Sequence, residues 1–290
     1  MKQAAVAAFL AVLVAASPAA PAATRAASPY RVQAEIDWGS LVLSVRVELD
    51  AAAAGRRLPA GRLEAERSIE RDLAGILKDA TFPLRVDARR DFGDAIADGS
   101  LAIDDFLHIS AAAKLRETHF SKDMRTFVAN YELPLLALST PFVLHSRAAS
   151  LSAAVELRPT KPYSGIVIYA KGPLPIRGEP GEGLLRPCFF PRVFDDEMNL
   201  IVERNAVSPE ALRAWGEVGY VESASAALES RVGEEPLRIA ATALFGARLT
   251  DLVISRDDAL KILGRPENRA LVAAGRVAIL VDGTTETASY

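Results

Sequence analysis

Cysteine is nearly missing from this 290-residue chain, in which Cys188 stands alone. One cysteine cannot close an intramolecular disulfide. Its position, far from the N-terminus, also rules it out as the lipid-modified first residue of a mature lipoprotein. Within Arg186-Pro187-Cys188-Phe189-Phe190 it is expected to be a small buried hydrophobe, because a reactive thiol needs a positive, half-exposed setting. Histidine is almost as scarce. His108, His119 and His145 fall in no H-x-x-x-H or H-E-x-x-H spacing, so no closed zinc site is expected and each is read as structural.

A basic excess is also lacking. The formal net charge is -3 and the pI about 5.8. The Arg56-Arg57 and Arg89-Arg90 pairs both have carboxylates nearby. A phosphate-backbone binder needs a focused basic patch, so no nucleic-acid partner is expected. The chain has no G-x-S-x-G elbow, no G-x-x-x-x-G-K-[ST] loop, no G-x-G-x-x-G turn and no repeat of fixed period. Gly178-Glu179-Pro180-Gly181-Glu182-Gly183 is glycine-rich, but its two carboxylates would repel phosphate, so it reads as a mobile loop.

The N-terminus carries an export pattern. Lys2 supplies the positive charge, Ala4 to Ala16 is apolar, and Ala20-Pro21-Ala22 fits the small-x-small cleavage rule. Cleavage after Ala22 is expected, leaving residues 23–29 as a disordered leader and a periplasmic location. Losing Lys2 takes the formal charge from -3 to -4. An uncleaved anchor helix is the competing reading, although the apolar run is short for a bilayer span. No later stretch reaches membrane-spanning length without charges, so no integral membrane insertion is expected after cleavage.

Periodicity supplies the elements. Val32 to Asp50 reads as a hairpin: Leu41, Leu43, Val45, Val47 and Leu49 alternate with Val42, Ser44, Arg46 and Glu48 after an Asp37-Trp38-Gly39-Ser40 turn. Arg62 to Ala80 reads as an amphipathic helix with Ala65, Ile69, Leu73, Ile76 and Leu77 on one face. A short strand at Leu84-Arg85-Val86 and a short helical or turn segment from Asp91 to Gly99 follow. Asp104 to Leu115 is predicted helical. Glu117–Phe120 and Met124–Leu133 are predicted to pair around Ser121-Lys122-Asp123. Leu135 to Leu157 is ambiguous between strand and helix, and Arg158-Pro159-Thr160-Lys161-Pro162 marks a boundary.

Beyond it, Tyr163-Ser164-Gly165-Ile166-Val167-Ile168-Tyr169 is a strand, and Phe189 to Val202 a second apolar stretch with an acidic turn. Ser208-Pro209 starts a helix that Gly216 stops. Strands at Leu237–Phe245, Leu252–Ile254 and Val277–Val281 enclose helices started by Ser255 and near Glu267. The tail after Asp282 is expected to fray. The fold class is therefore α+β, with mixed, mostly antiparallel sheets and packed helices in two lobes. These are an N-terminal α+β domain over 30–158 and a C-terminal α/β domain over 163–282, with 283–290 as a tail.

Catalytic, cofactor and metal residues are assigned to none. Asp195-Asp196-Glu197 lacks the converging oxygens of a cation site and reads as a solvated turn. Asp104-Asp105 and Asp257-Asp258 are explained by favourable helix-start positions.

Two stretches carry a resemblance. Arg62-Leu63-Glu64-Ala65-Glu66, Leu84-Arg85-Val86-Asp87 and the run from Asp123 through Phe127-Val128 to Tyr131-Glu132-Leu133 resemble the twenty-kilodalton envelope lipoprotein family, which includes the flagellar lipoprotein FlgP. Tyr163 to Gly172, Pro191 to Asp196, Thr250 to Ser255 with Asp258-Ala259, and Arg276 to Asp282 resemble a segment found downstream of such domains in exported bacterial proteins. The chain departs from that family in lacking a lipidation cysteine, in Tyr169 where an acidic residue is common, and in a longer Lys171–Arg186 loop. The resemblance implies an envelope protein, with envelope or flagellar proteins as partners, and carries over no catalytic residue. The expected function is thus non-enzymatic protein binding, with strand edges such as Tyr163–Tyr169 pairing with partner strands. The competing expectation is a small-ligand-binding or hydrolytic protein using an interdomain cleft, with Asp195, Asp196 and His145 as first suspects.

Overall fold

The computed structural model describes residues 28–51, 55, 61–154, 156 and 158–290. The expected signal peptide, and residues 23–27 of the leader, lie outside the described residues. Ser28 and Pro29, placed in that leader, are tied down: the Pro29 carbonyl accepts from Asp50 N and Ser28 Oγ from Tyr30 N.

The first half runs β1 (Tyr30–Asp37), β2 (Val42–Asp50), α1 (Arg62–Thr81), α2 (Phe92–Ala97), α3 (Ile103–Ala111), β3 (Lys114–Phe120), β4 (Thr126–Pro134) and α4 (Leu135–Ser139). The second half runs β5 (Ile166–Tyr169), β6 (Leu174–Pro175), β7 (Glu182–Gly183), β8 (Val193–Asp195), β9 (Leu200–Val202), α5 (Pro209–Trp215), β10 (Gly219–Val221), α6 (Ala226–Val232), β11 (Leu237–Phe245), β12 (Asp251–Ile254), α7 (Arg256–Leu263), α8 (Pro266–Ala273), β13 (Val277–Leu280) and β14 (Thr285–Ser289).

The expected α+β class holds, and antiparallel pairings outnumber parallel ones. A five-stranded antiparallel sheet has the order β14-β1-β2-β4-β3. A seven-stranded mixed sheet has the order β10-β13-β5-β11-β12-β8-β9, and β6 pairs with β7. The β1–β2 register puts Val45 opposite Ala34 and Val47 opposite Val32. The alternation in β2 therefore sends Leu43, Val45, Val47 and Leu49 to the core, where α1 covers them with Ala65, Ile69 and Leu77.

The second sheet behaves differently. Strands β10, β13, β5 and β11 run parallel; β13 is buried along its whole length and β5 at all but Tyr169. Val167, Ala278 and Leu280 meet Leu228 and Val232 of α6 in a small core on one face. Ile166, Ile168, Val277 and Ile279 join the main core, which is continuous with that of the first sheet. Gly165 permits this arrangement, since a Cβ there would lie 2.5 Å from the Val232 backbone. Ser164 locks the same contact by donating to the Val232 carbonyl at 2.6 Å.

Three expectations are corrected here. The stretch Tyr163–Tyr169 is not a sheet edge, because β5 lies between β13 and β11 and has no free side for a partner strand. The tail after Asp282 does not fray. It forms β14, which pairs with β1 from Gln33–Ser289 to Asp37–Thr285, so the end of the chain completes the first sheet. Its polar TETAS sequence carries no apolar periodicity, and the pairing comes from the free backbone edge of β1. Finally, the helix expected to reach Leu115 stops at Ala111, and the chain turns into β3 at Lys114. The ambiguous run after Leu135 is a short helix followed by extended chain.

Candidate functional site

The sequence suspects do not converge. Asp195 is buried, and its carboxylate braces the β8–β9 turn. It accepts from Asn199 N at 2.7 Å, from Glu197 N at 3.0 Å and from Asn199 Nδ2 at 2.8 Å. Asp196 and Glu197 are exposed, and Glu197 pairs with Arg256. His145 Nε2 lies 2.8 Å from the Val207 carbonyl, an acceptor, so Nε2 carries the proton and the ring serves as a loop tether. Among the described residues no group of three His, Cys, Asp or Glu side chains could hold a metal ion.

Cys188 is buried, and burial pushes its thiol far above the ordinary range, which removes it as a nucleophile. Its backbone N–H donates to Tyr220 Oη, and that hydroxyl donates to the Cys188 carbonyl, both at 3.1 Å.

The most densely functionalised region is the junction of the two sheets. Trp38, at the start of the β1–β2 turn, meets Phe189 edge-on at 5.3 Å between centroids and Tyr220 at 6.2 Å. A second chain of rings runs Phe92, Phe142, Phe190. Arg85 donates to the Pro187 carbonyl at 2.8 Å and pairs with Glu286. Arg248 grips Asp91 at 2.8 Å and Asp94 at 2.9 Å. Phe189 and Phe190 donate their backbone N–H groups to the Arg85 and Val86 carbonyls, and the expected strand at Leu84–Val86 forms no more than one isolated bridge, from Arg85 to Asp91.

Below the junction lie buried charges. Asp251 is fully buried and takes a two-pronged grip from Arg192, with Nη2 at 2.7 Å and Nε at 3.0 Å. Burial raises its carboxyl, and the Arg192 bonds pull it back. Glu217 is 1% exposed, and neither carboxylate oxygen has a hydrogen-bond partner. Burial drives its carboxyl well above the usual range, with Arg204 the largest opposing influence. Arg231 is buried on α6, where its guanidinium holds the Trp215 and Gly216 carbonyls at the end of α5, at 2.7 and 2.9 Å. Burial lowers it to about 10, so it stays charged at neutral pH.

At the surface of this junction is a cleft of about 180 Å³, lined by Asp87, Arg89, Phe190, Arg192, Glu203 and Arg204. The first two residues come from the first half of the chain and the other four from the second. Sequence reading passed over all of these charges. Arg89 stood out only as half of an arginine pair, and Glu217 was not singled out at all.

Among the larger concavities elsewhere are two beside the sheets. One, about 560 Å³, spreads over the uncovered face of the five-stranded sheet and is lined by Gln33, Glu35, Arg46, Arg116, Glu132 and others. The other, about 620 Å³, runs beside β9 under Leu151, Leu200, Leu260 and Leu263.

Comparison with known families gives two matches. Residues 29–141 match the family model described as the N-terminal domain of Treponema pallidum Tp0624, and residues 165–283 match that described as its second domain. The chain is thus similar to two domains of Tp0624. The first match holds the sheet from β1 to β4, and the second holds the whole seven-stranded sheet. The cleft draws Asp87 and Arg89 from the first and its remaining residues from the second. Neither match is to the lipoprotein family that includes FlgP. No curated protein matches the chain.

Proposed function

We propose that this is an exported, envelope-associated protein that works by binding other proteins, without catalysis, through the open face of its five-stranded sheet. The observation that carries the reading is that face itself. One side of the sheet is sealed by α1, while the other is a broad, open concavity of about 560 Å³. Its charges are mixed in sign: Arg46 pairs with Glu48 along β2, and Arg116 on β3 with Glu132 on β4, at 2.9 and 2.6 Å. Small-molecule sites are enclosed and mostly apolar, whereas an open surface of mixed charge suits a protein partner.

The free edge at β3 is guarded against indiscriminate strand pairing. It carries Lys114, Arg116 and Glu117, and a register shift between Leu115 and Glu117. Recognition is therefore assigned to side chains on the face rather than to strand addition. The export pattern from Lys2 to Ala22 supports a periplasmic location, and the resemblance at Arg62–Leu135 supports envelope or flagellar partners. Among the described residues no helix is long and apolar enough to cross a membrane.

The test is in-cell crosslinking of the native protein, with mass spectrometry of what copurifies from the envelope fraction, repeated with Arg46→Glu plus Arg116→Glu. Envelope partners are expected with the native chain and lost with the double variant. Recovery of the chain alone, or equal recovery with both forms, overturns the reading.

A further inference from the structure

The junction cleft contains positive charge that the protein does not neutralise. Arg204 is half-buried, and its guanidinium lies 4.8 Å from the Phe190 ring centroid. Among the described residues its side chain makes no ion pair. The exposed Arg89 side chain has none either. The third guanidinium, Arg192, is fully committed to Asp251. On the acidic side, Asp87 is committed as well: it accepts from the backbone of Arg89 at 2.8 Å and of Arg90 at 3.2 Å, and pairs with Arg90 Nε at 3.5 Å. That leaves Glu203 against Arg89 and Arg204, an excess of one positive charge.

Glu217 does not cancel it. Its buried carboxyl acts on the same groups, Arg204, Glu203, Asp251 and Arg192, and both its oxygens lack partners. Burial favours the neutral form of this carboxyl, and neither of its oxygens bonds to Arg204.

We propose that this cleft is a carboxylate-binding site, in which Arg89 from the first domain and Arg204 from the second clamp one carboxylate while the attached apolar group lies against Phe190. Guanidinium groups are suited to this by their planar, forked donors. A single negative charge balances the excess, whereas a phosphate dianion would overfill it beside Glu203 and Asp87. At about 180 Å³ the cleft is smaller than a drug-sized pocket and takes the carboxylate with a short body. The proposal concerns a site separate from the open sheet face, so either can fail without the other.

Two sources offer this chemistry, a free small acid and the C-terminus of a peptide. The experiment is calorimetric titration of the export-processed chain at neutral pH and low salt with sodium benzoate, N-acetyl-dialanine, N-acetyl-dialanine amide and inorganic phosphate. Saturable binding of benzoate or of the free peptide is expected, with none for the amide. The tighter of the two carboxylates identifies the source. Arg204→Ala and Arg89→Ala are each expected to weaken binding by about ten-fold or more, with Arg204→Lys intermediate. Arg213→Ala, an exposed arginine on α5 outside the cleft, should bind as the native chain does. Absence of saturation by either carboxylate, phosphate binding at least as tightly, or native affinity in both alanine variants overturns the proposal. Should Arg204→Ala fail to fold, the exposed Arg89 decides alone.

Discussion

The two sheets solve the problem of burial in different ways. In the first, every second residue of β2 faces water: Ser44, Arg46 and Glu48 lie between Leu43, Val45, Val47 and Leu49, all four of which are buried. In the second, all four residues of β12 and of β13 are buried. The antiparallel sheet is covered by α1 on one side and keeps its other face open to solvent. The mixed sheet is covered on both faces at β12 and β13, while β11 keeps Arg238, Ala240 and Thr242 exposed. Equivalent substitutions should therefore have unequal effects, and the site of any interaction follows from which sheet has spare surface.

The sharpest contrast is a charge introduced into each sheet. Ala278→Asp, at the centre of β13, places an unpaired carboxylate where there is neither room nor water. It should cost about 4–5 kcal/mol or more and leave the chain largely unfolded. Ser44→Asp, on the open face of β2, should change stability by no more than about 0.5 kcal/mol. Urea unfolding followed by circular dichroism measures both, and similar losses would break the comparison.

Next is the joint between the sheets. Trp38→Ala removes a ring that touches Phe189 and Tyr220 and should cost about 3–5 kcal/mol. Because the main core runs through both halves, a single transition at a lower midpoint is expected in denaturant. Two separated transitions would show that the sheets unfold independently.

The smallest effect is read against pH. Burial raises the Glu217 carboxyl well above its ordinary value of 4.5. The folded chain therefore holds a proton that the unfolded chain releases. Its stabilising contribution is full below about pH 4.5 and is lost as pH rises toward the raised value, at up to about 1.4 kcal/mol per pH unit. Glu217→Gln, always neutral, should flatten that slope between pH 5 and 8 and be the more stable form at its upper end. A slope unchanged by the substitution would show that Glu217 is ionised in the folded chain.

Much of the fold was legible in short stretches. The helix at Pro209–Trp215 has Ser208 accepting from Ala211 N and Gly216 at φ 79°, as its cap and stop residues require. Ser255 caps α7 in the same manner, accepting from Asp258 N. The β1–β2 and β3–β4 hairpins follow from period-two alternation. The helix face of α1 follows from its apolar spacing, with Ala65, Ile69, Ile76 and Leu77 buried. The site was not legible. Arg89 and Arg204 look like any surface arginines, and what distinguishes them is that their neighbours' carboxylates are engaged elsewhere. Asp195 attracted attention as part of an acidic cluster, yet it is an internal brace for its own turn.

What the sequence determined alone was everything settled by residues within a turn or a strand of one another: element type, caps, turns, the inward face of each amphipathic segment, and the export pattern at the N-terminus. Only the tertiary structure decided that β5 is central rather than an edge, that β14 returns to β1, that Glu217 is sealed from water, and that arginines from two domains share one cleft. Those outcomes depend on backbone edges and charges brought together from distant parts of the chain. Burial and pairing across such distances set their energies, and no local pattern encodes them.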